Sequence, residues 1–155
     1  MTTSATGSGA AGPAGAAGSY AGDVTPREAW EVLSSDPDAT LVDVRSSAEW
    51  TFVGLPDLRG IEKEPLLVAW QDFPGMTPNA AFLQSLADRI PGRDAPVYFL
   101  CRSGGRSRAA AIAATAAGFA ACFNVAGGFE GNLDEAGHRG QREGWKAQGL
   151  PWVQS

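Results

Sequence analysis

A strand, a short loop that begins with cysteine, and a helix follow one another without a linker in the second half of the chain. Residues 96–100 (PVYFL) are apolar and rich in β-formers, which predicts a buried strand. The segment CRSGGRS follows at residues 101–107, and an Ala-rich helix ending at Gly118 comes next. A buried strand that passes directly into a helix is typical of an open parallel α/β sheet, because helical crossovers join its strands.

Other segments of the chain fit the same architecture. Thr25 and Pro26 resemble an N-cap and a first helical residue, so a helix is predicted over residues 26–34. Residues 40–44 (TLVDV) predict a second strand that is buried on both faces. Shorter patterns predict helices at 45–50 and 78–90, and strands at 58–61, 66–69 and 120–125.

The N-terminal segment differs from the rest in composition. Of the first 22 residues, 19 are Ala, Gly, Ser or Thr, and such side chains bury too little surface to offset the entropy of ordering. We therefore expect a disordered tail over residues 1–22 and one domain over residues 23–155. No apolar run reaches 18 residues and no basic residue precedes Arg27, so the sequence predicts no membrane span, no signal peptide and a cytoplasmic location.

Charge and cysteine content narrow the classes of partner. The net charge is −5, which argues against nucleic acid because phosphate binding needs an excess of Lys and Arg. Residues 95–129 nevertheless contain no acidic residue and hold Arg102, Arg106 and Arg108. Two cysteines and one histidine form neither a disulfide framework nor a zinc cluster, so no metal or other cofactor is predicted.

Cys101 is the first candidate for chemistry, because functional residues of α/β sheets lie at the carboxyl ends of strands. Gly104 and Gly105 permit positive φ, so the N–H groups of residues 102–106 can converge on one point. These donors, the following helix N-terminus and the nearby guanidinium groups all favour the thiolate form of Cys101. The alternative is a buried cysteine that only packs in the core.

The segment CRSGGRS at residues 101–107 resembles the active-site loop of the rhodanese-type sulfurtransferases. LVDVR at residues 41–45, with Glu49 and Trp50 following, is similar to the second signature of that family. The family often has a histidine motif where this chain has GLPDL at residues 54–58. The resemblance implies a rhodanese-like α/β fold, with a five-stranded parallel sheet flanked by helices on both faces.

The same resemblance implies a thiosulfate sulfurtransferase, in which Cys101 is catalytic and carries a sulfane sulfur as a persulfide. Thiosulfate or a persulfide is the expected donor, and a thiol or cyanide the expected acceptor. The implied substrate-binding residues are those of the loop after the cysteine: Arg102, Ser103, Gly104, Gly105, Arg106 and Ser107.

Two other functions are compatible with this loop. One is a persulfide carrier or sensor that acts with a protein partner. The other is a phosphatase or arsenate reductase, which the loop length disfavours. Four residues separate Cys101 from Arg106, whereas the related dual-specificity phosphatases have five, and a tighter loop suits one sulfur atom better than a tetrahedral oxyanion.

Most charged residues near the two signatures are expected to have structural roles. Asp43, Arg45 and Glu49 are expected to form an ion pair and a loop anchor rather than a catalytic acid and base. Arg106 is expected to bind an anionic donor, with an internal salt bridge as the alternative, and Arg108 is expected to be a solvated charge.

The remaining candidates are a thiol, an imidazole and several indoles. Cys122 is expected to pack in a strand rather than to act as a resolving thiol. His138 is expected in a surface loop, with contact to the acceptor as the alternative. Trp145 and Trp152 are expected to anchor the polar C-terminal stretch, and Trp70 is the aromatic residue expected to line the pocket.

Overall fold

The computed structural model describes residues 19–154, which form an α/β domain. No helix among these residues is long and apolar enough to cross a membrane. The helical segments are α1 (Pro26–Ser35), α2 (Ser47–Phe52), a 3-10 turn (Arg59–Ile61), α3 (Phe82–Arg89) and α4 (Gly105–Ala116). The strands are β1 (Gly22–Val24), β2 (Thr40–Asp43), β3 (Leu55–Pro56), β4 (Leu66–Leu67), β5 (Gln71–Asp72), β6 (Thr77–Pro78), β7 (Val97–Leu100), β8 (Cys122–Val125) and β9 (Trp152–Val153).

Five of these strands form one sheet in the order β1-β8-β7-β2-β4, and every pairing in it is parallel. This confirms the predicted five-stranded parallel sheet. Strand β7 lies at the centre, and all four of its residues are buried, as expected for a strand covered on both faces. The chain therefore leaves β7 at the middle of the carboxyl edge, with a neighbouring strand on each side.

Two hydrophobic clusters cover the two faces of the sheet, which confirms the predicted helices on both sides. Phe99 of β7 packs in one cluster with Leu86 of α3 and Ala111 of α4. Tyr98, the preceding residue, packs in the other cluster with Leu33 of α1. Successive side chains of a strand point to opposite faces, so β7 contributes to both clusters.

Side-chain caps fix the starts of α1 and α2. The Thr25 hydroxyl accepts a hydrogen bond from the Glu28 N–H at 3.1 Å, and the Glu28 carboxylate accepts one from the Thr25 N–H at 2.8 Å. The predicted first helix is thus confirmed. Ser46 and Glu49 form the same kind of capping box, so α2 begins two residues later than the predicted start at residue 45.

The segment between α2 and α3 differs most from prediction. The predicted strand at 58–61 is wrong, because residues 59–61 form a 3-10 turn. The Asp57 carboxylate closes this turn by accepting hydrogen bonds from the Arg59 N–H at 3.1 Å and the Arg59 Nε at 2.9 Å. The predicted strand at 66–69 is reduced to the two residues of β4.

Helix α3 begins at Phe82, four residues after the predicted start at 78. Asn79 accounts for the delay. Its side-chain oxygen accepts a hydrogen bond from the Ala81 N–H at 3.0 Å, and its carbonyl oxygen accepts one from the Phe82 N–H at 3.1 Å. These bonds form a turn that competes with the first turn of a helix.

The sheet also includes residues that the sequence assigns to the tail. Gly22 belongs to β1, and the Ala21 N–H donates to the Cys122 oxygen at 2.8 Å. Tyr20 packs against the cluster that contains Phe99. The sheet therefore includes residues before residue 23, while residues 1–18 of the predicted tail lie outside the described residues.

The C-terminal stretch is anchored by Trp145, as the sequence predicts for that residue. Trp145 is fully buried, packs edge-on against Trp30 with ring centroids 5.9 Å apart, and donates from Nε1 to the Pro151 oxygen at 2.7 Å. Trp152 lies in β9 and is 38% exposed. Only the first of the two indoles is thus a core residue.

Replacing Trp145 with alanine should lower the free energy of unfolding by about 3–5 kcal/mol, because it leaves a large cavity and removes one of the two hydrogen bonds to the Pro151 oxygen, which keeps the Asp57 N–H at 3.0 Å. Trp152→Ala is the matched control and should cost less, about 1–2 kcal/mol, because its indole is 38% exposed and loses only its contacts with the Phe129 ring and the Lys146 ammonium. Chemical denaturation of both variants measures the difference. Equal losses would show that the C-terminal stretch does not depend on Trp145.

Candidate active site

Cys101 directly follows β7 and precedes α4, at the middle of the carboxyl edge of the sheet. Its side chain is buried with 1% exposure. Gly104, the N-cap of α4, has φ +119° and ψ −10°, a backbone conformation that glycine adopts without strain. Because of this turn, the Gly104 N–H points back and donates to the Cys101 Sγ at 3.1 Å.

The N-terminus of α4 adds further donors beside the sulfur. The first hydrogen bond of the helix runs from the Arg108 N–H to the Gly104 oxygen at 3.2 Å. The N–H groups of residues 105–107 therefore have no acceptor within the helix. Such an end carries partial positive charge, which favours an anion or a thiolate beside it.

Backbone hydrogen bonds join the cysteine loop to the loop that follows β8. The Cys101 oxygen accepts a hydrogen bond from the Phe129 N–H at 2.8 Å, and the Arg102 oxygen accepts from the Gly131 N–H at 3.0 Å. Gly128 has φ +63°, and a Cβ there would lie 2.5 Å from the Cys101 oxygen. Only glycine therefore fits this close approach.

Polar side chains below the sulfur form a short chain of hydrogen bonds. The Ser107 Oγ lies 3.2 Å from the Cys101 Sγ and 2.5 Å from the Asn124 Oδ1. The Asn124 Nδ2 donates to the Asp23 Oδ1 at 3.0 Å. Sequence reasoning singled out Ser107 but missed Asn124 and Asp23, because their places depend on strand pairing.

Arg106 pairs with Glu49, which is the internal salt bridge that the sequence left as the alternative. The Arg106 Nη1 and Nη2 donate to the two carboxylate oxygens at 2.7 and 2.9 Å. Burial acts to raise the pKa of Glu49, but hydrogen bonds from Arg106 and Ser46 outweigh it and lower that pKa to about 2. Much of the positive charge of Arg106 is thus compensated by Glu49.

The expected pairing of Glu49 with Arg45 is therefore corrected. Arg45 instead pairs with Asp43 at 2.6 Å, and both side chains are fully buried. Arg45 also donates to the Gly54 oxygen at 2.8 Å and lies 4.3 Å from the centroid of the Phe129 ring. Arg45 thus connects the end of β2 to the loops that contain Gly54 and Phe129.

A cavity of about 380 Å³ opens beside the cysteine loop. Arg102, which is exposed, and Glu130 bring opposite charges to it. The other lining residues are Glu49, Val53, Gln71, Met76 and Arg106. Trp70, predicted to line the pocket, packs against Phe82 with ring centroids 5.0 Å apart and is not among them.

The remaining predicted candidates have no contact with the Cys101 sulfur among the described hydrogen bonds. Cys122 is fully buried, and burial raises the pKa of its thiol to about 12. His138 is exposed in a turn closed by Asp134. Arg108 lies 3.7 Å from Asp23 and is largely exposed. Ser103 is half-buried in the loop.

Within residues 19–154, no three His, Cys, Asp or Glu side chains are grouped closely enough to hold a metal ion. The groups that the loop brings together are one thiol, its backbone donors and the adjacent guanidinium groups.

Gly104→Ala should lower the free energy of unfolding by at least about 1–2 kcal/mol, because an L-residue is strained at this positive φ. Gly105→Ala is the matched control: it begins α4, and a Cβ there meets open space. It should leave stability unchanged or raise it by up to about 1 kcal/mol. Denaturation curves of the two variants measure the free energy of unfolding. Equal losses in both would contradict the assigned role of Gly104.

Comparison with known sequences gives a family assignment. Residues 21–155 match the family described as STR4 middle domain. The uncharacterized protein RP600 homolog of Rickettsia rickettsii is 39% identical over 130 residues, which cover 84% of this chain and 95% of that protein. The chloroplastic protein THYLAKOID RHODANESE-LIKE of Oryza sativa subsp. indica is 32% identical over 133 residues, which cover 85% of this chain but 25% of that protein.

Solved structures share the architecture. The crystal structure of Rv0390 from M. tuberculosis has a TM-score of 0.81 and 55% identity, and the match covers 88% of this chain and 100% of that chain. The polysulfide-sulfur transferase homodimer of Wolinella succinogenes has a TM-score of 0.56 at 21% identity, covering 86% of this chain and 78% of that chain, which shows the fold alone. The fold is thus rhodanese-like, and the chain belongs to the STR4 middle-domain family.

Proposed function

We propose that this protein is a rhodanese-type sulfurtransferase that carries a sulfane sulfur on Cys101. The observation that carries the proposal is the placement of the Cys101 Sγ, which accepts the Gly104 N–H at 3.1 Å beside the N-terminus of α4. The unpaired N–H groups of residues 105–107 suit the charged outer sulfur of a persulfide. The rhodanese-like relative and the fold shared with a polysulfide-sulfur transferase support this assignment.

The reaction has two half-reactions, each a displacement at sulfur. The Cys101 thiolate attacks the outer sulfur of thiosulfate, so that a new S–S bond forms, the old one breaks, and sulfite leaves with the electron pair. The outer sulfur of the persulfide is then attacked by an acceptor. Cyanide becomes thiocyanate, or a thiolate becomes a persulfide, and the Cys101 thiolate is regenerated.

Loop length supports sulfur transfer over phosphate hydrolysis. Four residues separate Cys101 from Arg106, and Arg106 is already bound through both η nitrogens to Glu49. A phosphatase needs its loop arginine to bind the equatorial oxygens of the transferred phosphate. A loop whose arginine is committed to a carboxylate is better suited to a single sulfur atom.

The charges at the cavity bear on the choice of donor. Glu49 compensates Arg106, and among the described residues neither Arg102 nor Glu130 forms a side-chain ion pair. The local charge is therefore closer to zero than the three arginines of residues 95–129 suggest. Thiosulfate remains the proposed donor, with Arg102 as its cationic contact, and this balance also suits a persulfide donor. A thiol as the acceptor and a cytoplasmic location stay predictions.

Incubation with thiosulfate should raise the mass of the intact protein by one sulfur atom. Cyanide should remove the added sulfur, because it attacks the outer sulfur of a persulfide. Mass spectrometry of the intact chain makes the measurement. Cys101→Ser should show no gain, while Cys122→Ser is the matched control and should behave as the wild type.

Two further assays, with a persulfide donor and with an aryl phosphate, test the alternative functions. Sulfur uptake from a persulfide donor alone, with none from thiosulfate, would identify a persulfide carrier that serves a protein partner. Hydrolysis of an aryl phosphate that depends on Cys101 would contradict the inference from loop length.

Arg106→Ala should lower kcat/KM for thiosulfate by at least about tenfold, because the uncompensated Glu49 carboxylate then faces the anionic donor. Arg108→Ala is the matched control. Its contact with Asp23 is long and exposed, so the loss should stay within about twofold. Steady-state rates of thiocyanate formation measure both, and equal losses would refute the distinction between the two arginines.

A further inference from the structure

A chain of polar contacts runs from the edge of the sheet to the cysteine. Asp23 of β1 and Asn124 of β8 are paired in register, so their side chains are neighbours on the same face of the sheet. The Asn124 Nδ2 donates to the Asp23 Oδ1 at 3.0 Å, and the Tyr20 hydroxyl donates to the same oxygen at 2.8 Å. Asn124 itself is 1% exposed.

Asp23 determines which way the Asn124 amide faces. An ionised carboxylate only accepts hydrogen bonds, so the amide NH₂ group must point towards it. The amide oxygen consequently points the other way, towards the Ser107 Oγ at 2.5 Å. A carboxylate on β1 thereby sets the partner that Ser107 meets below the active-site loop.

Ser107 has one hydroxyl proton and two acceptors within reach. The Asn124 oxygen lies at 2.5 Å and the Cys101 sulfur at 3.2 Å. An amide oxygen only accepts, so this short contact requires the Ser107 proton. The Ser107 oxygen then presents its lone pairs to the sulfur, where they accept from a thiol and oppose a thiolate.

We propose that Asp23 and Asn124 are positioning residues that hold the Ser107 proton away from Cys101 and thereby favour the thiol form of the resting cysteine. The Gly104 N–H is then the donor that the sulfur keeps in this state. The consequence is a cysteine that is less reactive towards oxidants and electrophiles than its loop alone would make it.

Charged groups around the loop act on the same sulfur and must stay constant in a test. They are the Arg106–Glu49 pair, exposed Arg102 and, behind the loop, the buried Asp43–Arg45 pair. Arg108 lies 3.7 Å from Asp23, so removing the Asp23 charge also leaves Arg108 less compensated. Removing the Arg108 charge by Arg108→Ala separates the two effects.

Asp23→Ala removes the acceptor of the Asn124 amide at a partly exposed site. The amide can then turn, its NH₂ group donates to Ser107, and the Ser107 proton is released to the sulfur. Half-ionisation of the Cys101 thiol should move to lower pH by about one unit, the effect of one hydrogen bond to a charged group. The same shift is expected when Asp23→Ala is made in an Arg108→Ala background, because the released Ser107 proton and not the Arg108 charge causes it.

The titration follows the ultraviolet absorbance of the thiolate, taken as the difference from the same protein carrying Cys101→Ser. Cys122 does not interfere because the pKa of its thiol is raised to about 12 and its signal cancels in the difference. No sulfur donor is needed, so the result is independent of the proposed sulfurtransferase activity.

A double-mutant cycle with Ser107→Ala completes the test. The shift caused by Asp23→Ala should disappear when Ser107 is replaced, because no hydroxyl proton remains to be redirected. Asn124→Ala is the second route to the same state and should shift the titration in the same direction. No shift in Asp23→Ala, a shift that disappears in the Arg108→Ala background, or a shift that persists in the Ser107→Ala background would each overturn the proposal.

Discussion

The active-site loop depends on the hydrogen bonds that hold the carbonyl groups of Cys101 and Arg102 against the loop after β8. The N–H groups of Phe129 and Gly131 bind these two oxygens at 2.8 and 3.0 Å. With the carbonyl groups turned to that side, the Gly104 N–H is left to donate to the sulfur. Gly128 lets the two loops approach this closely, since any side chain there would collide with the Cys101 oxygen.

The electrostatic design of the site follows from how its charges are paired. Arg106 and Glu49 largely compensate each other, and Asp43 and Arg45 do so in the buried layer behind them. The sulfur is therefore governed mainly by close dipoles: the Gly104 N–H, the N-terminus of α4 and the Ser107 hydroxyl. Such dipoles act over short distances, which suits selective binding of one additional sulfur atom.

Sequence reasoning located the sheet and the nucleophile because their signals are local. The run at residues 96–100, the Ala-rich segment after it and the two signature segments each predict their element without knowledge of the rest. The structure of residues 51–80 was harder to predict, because side-chain hydrogen bonds to the backbone determine where its elements begin and end. Asp57 closes a 3-10 turn where a strand was predicted, and Asn79 delays the start of α3.

The partners of the site residues were less predictable than the residues themselves. Glu49 and Arg106 were both singled out, but they are 57 positions apart and only the folded sheet brings them together. Asn124 and Asp23 carry no motif, and their contact comes from the register of β1 on β8. Long-range pairings of this kind are set by topology and cannot be read from local composition.

The proposed function requires that the buried sulfur of Cys101 accepts the sulfur atom of the donor. This is tested by the amount of sulfite released when the protein is mixed with thiosulfate in the absence of any acceptor. We expect a rapid burst that approaches one sulfite per protein chain, absent in Cys101→Ser and kept in Cys122→Ser. A burst that survives Cys101→Ser, or turnover of thiosulfate with cyanide but without any burst, would contradict it.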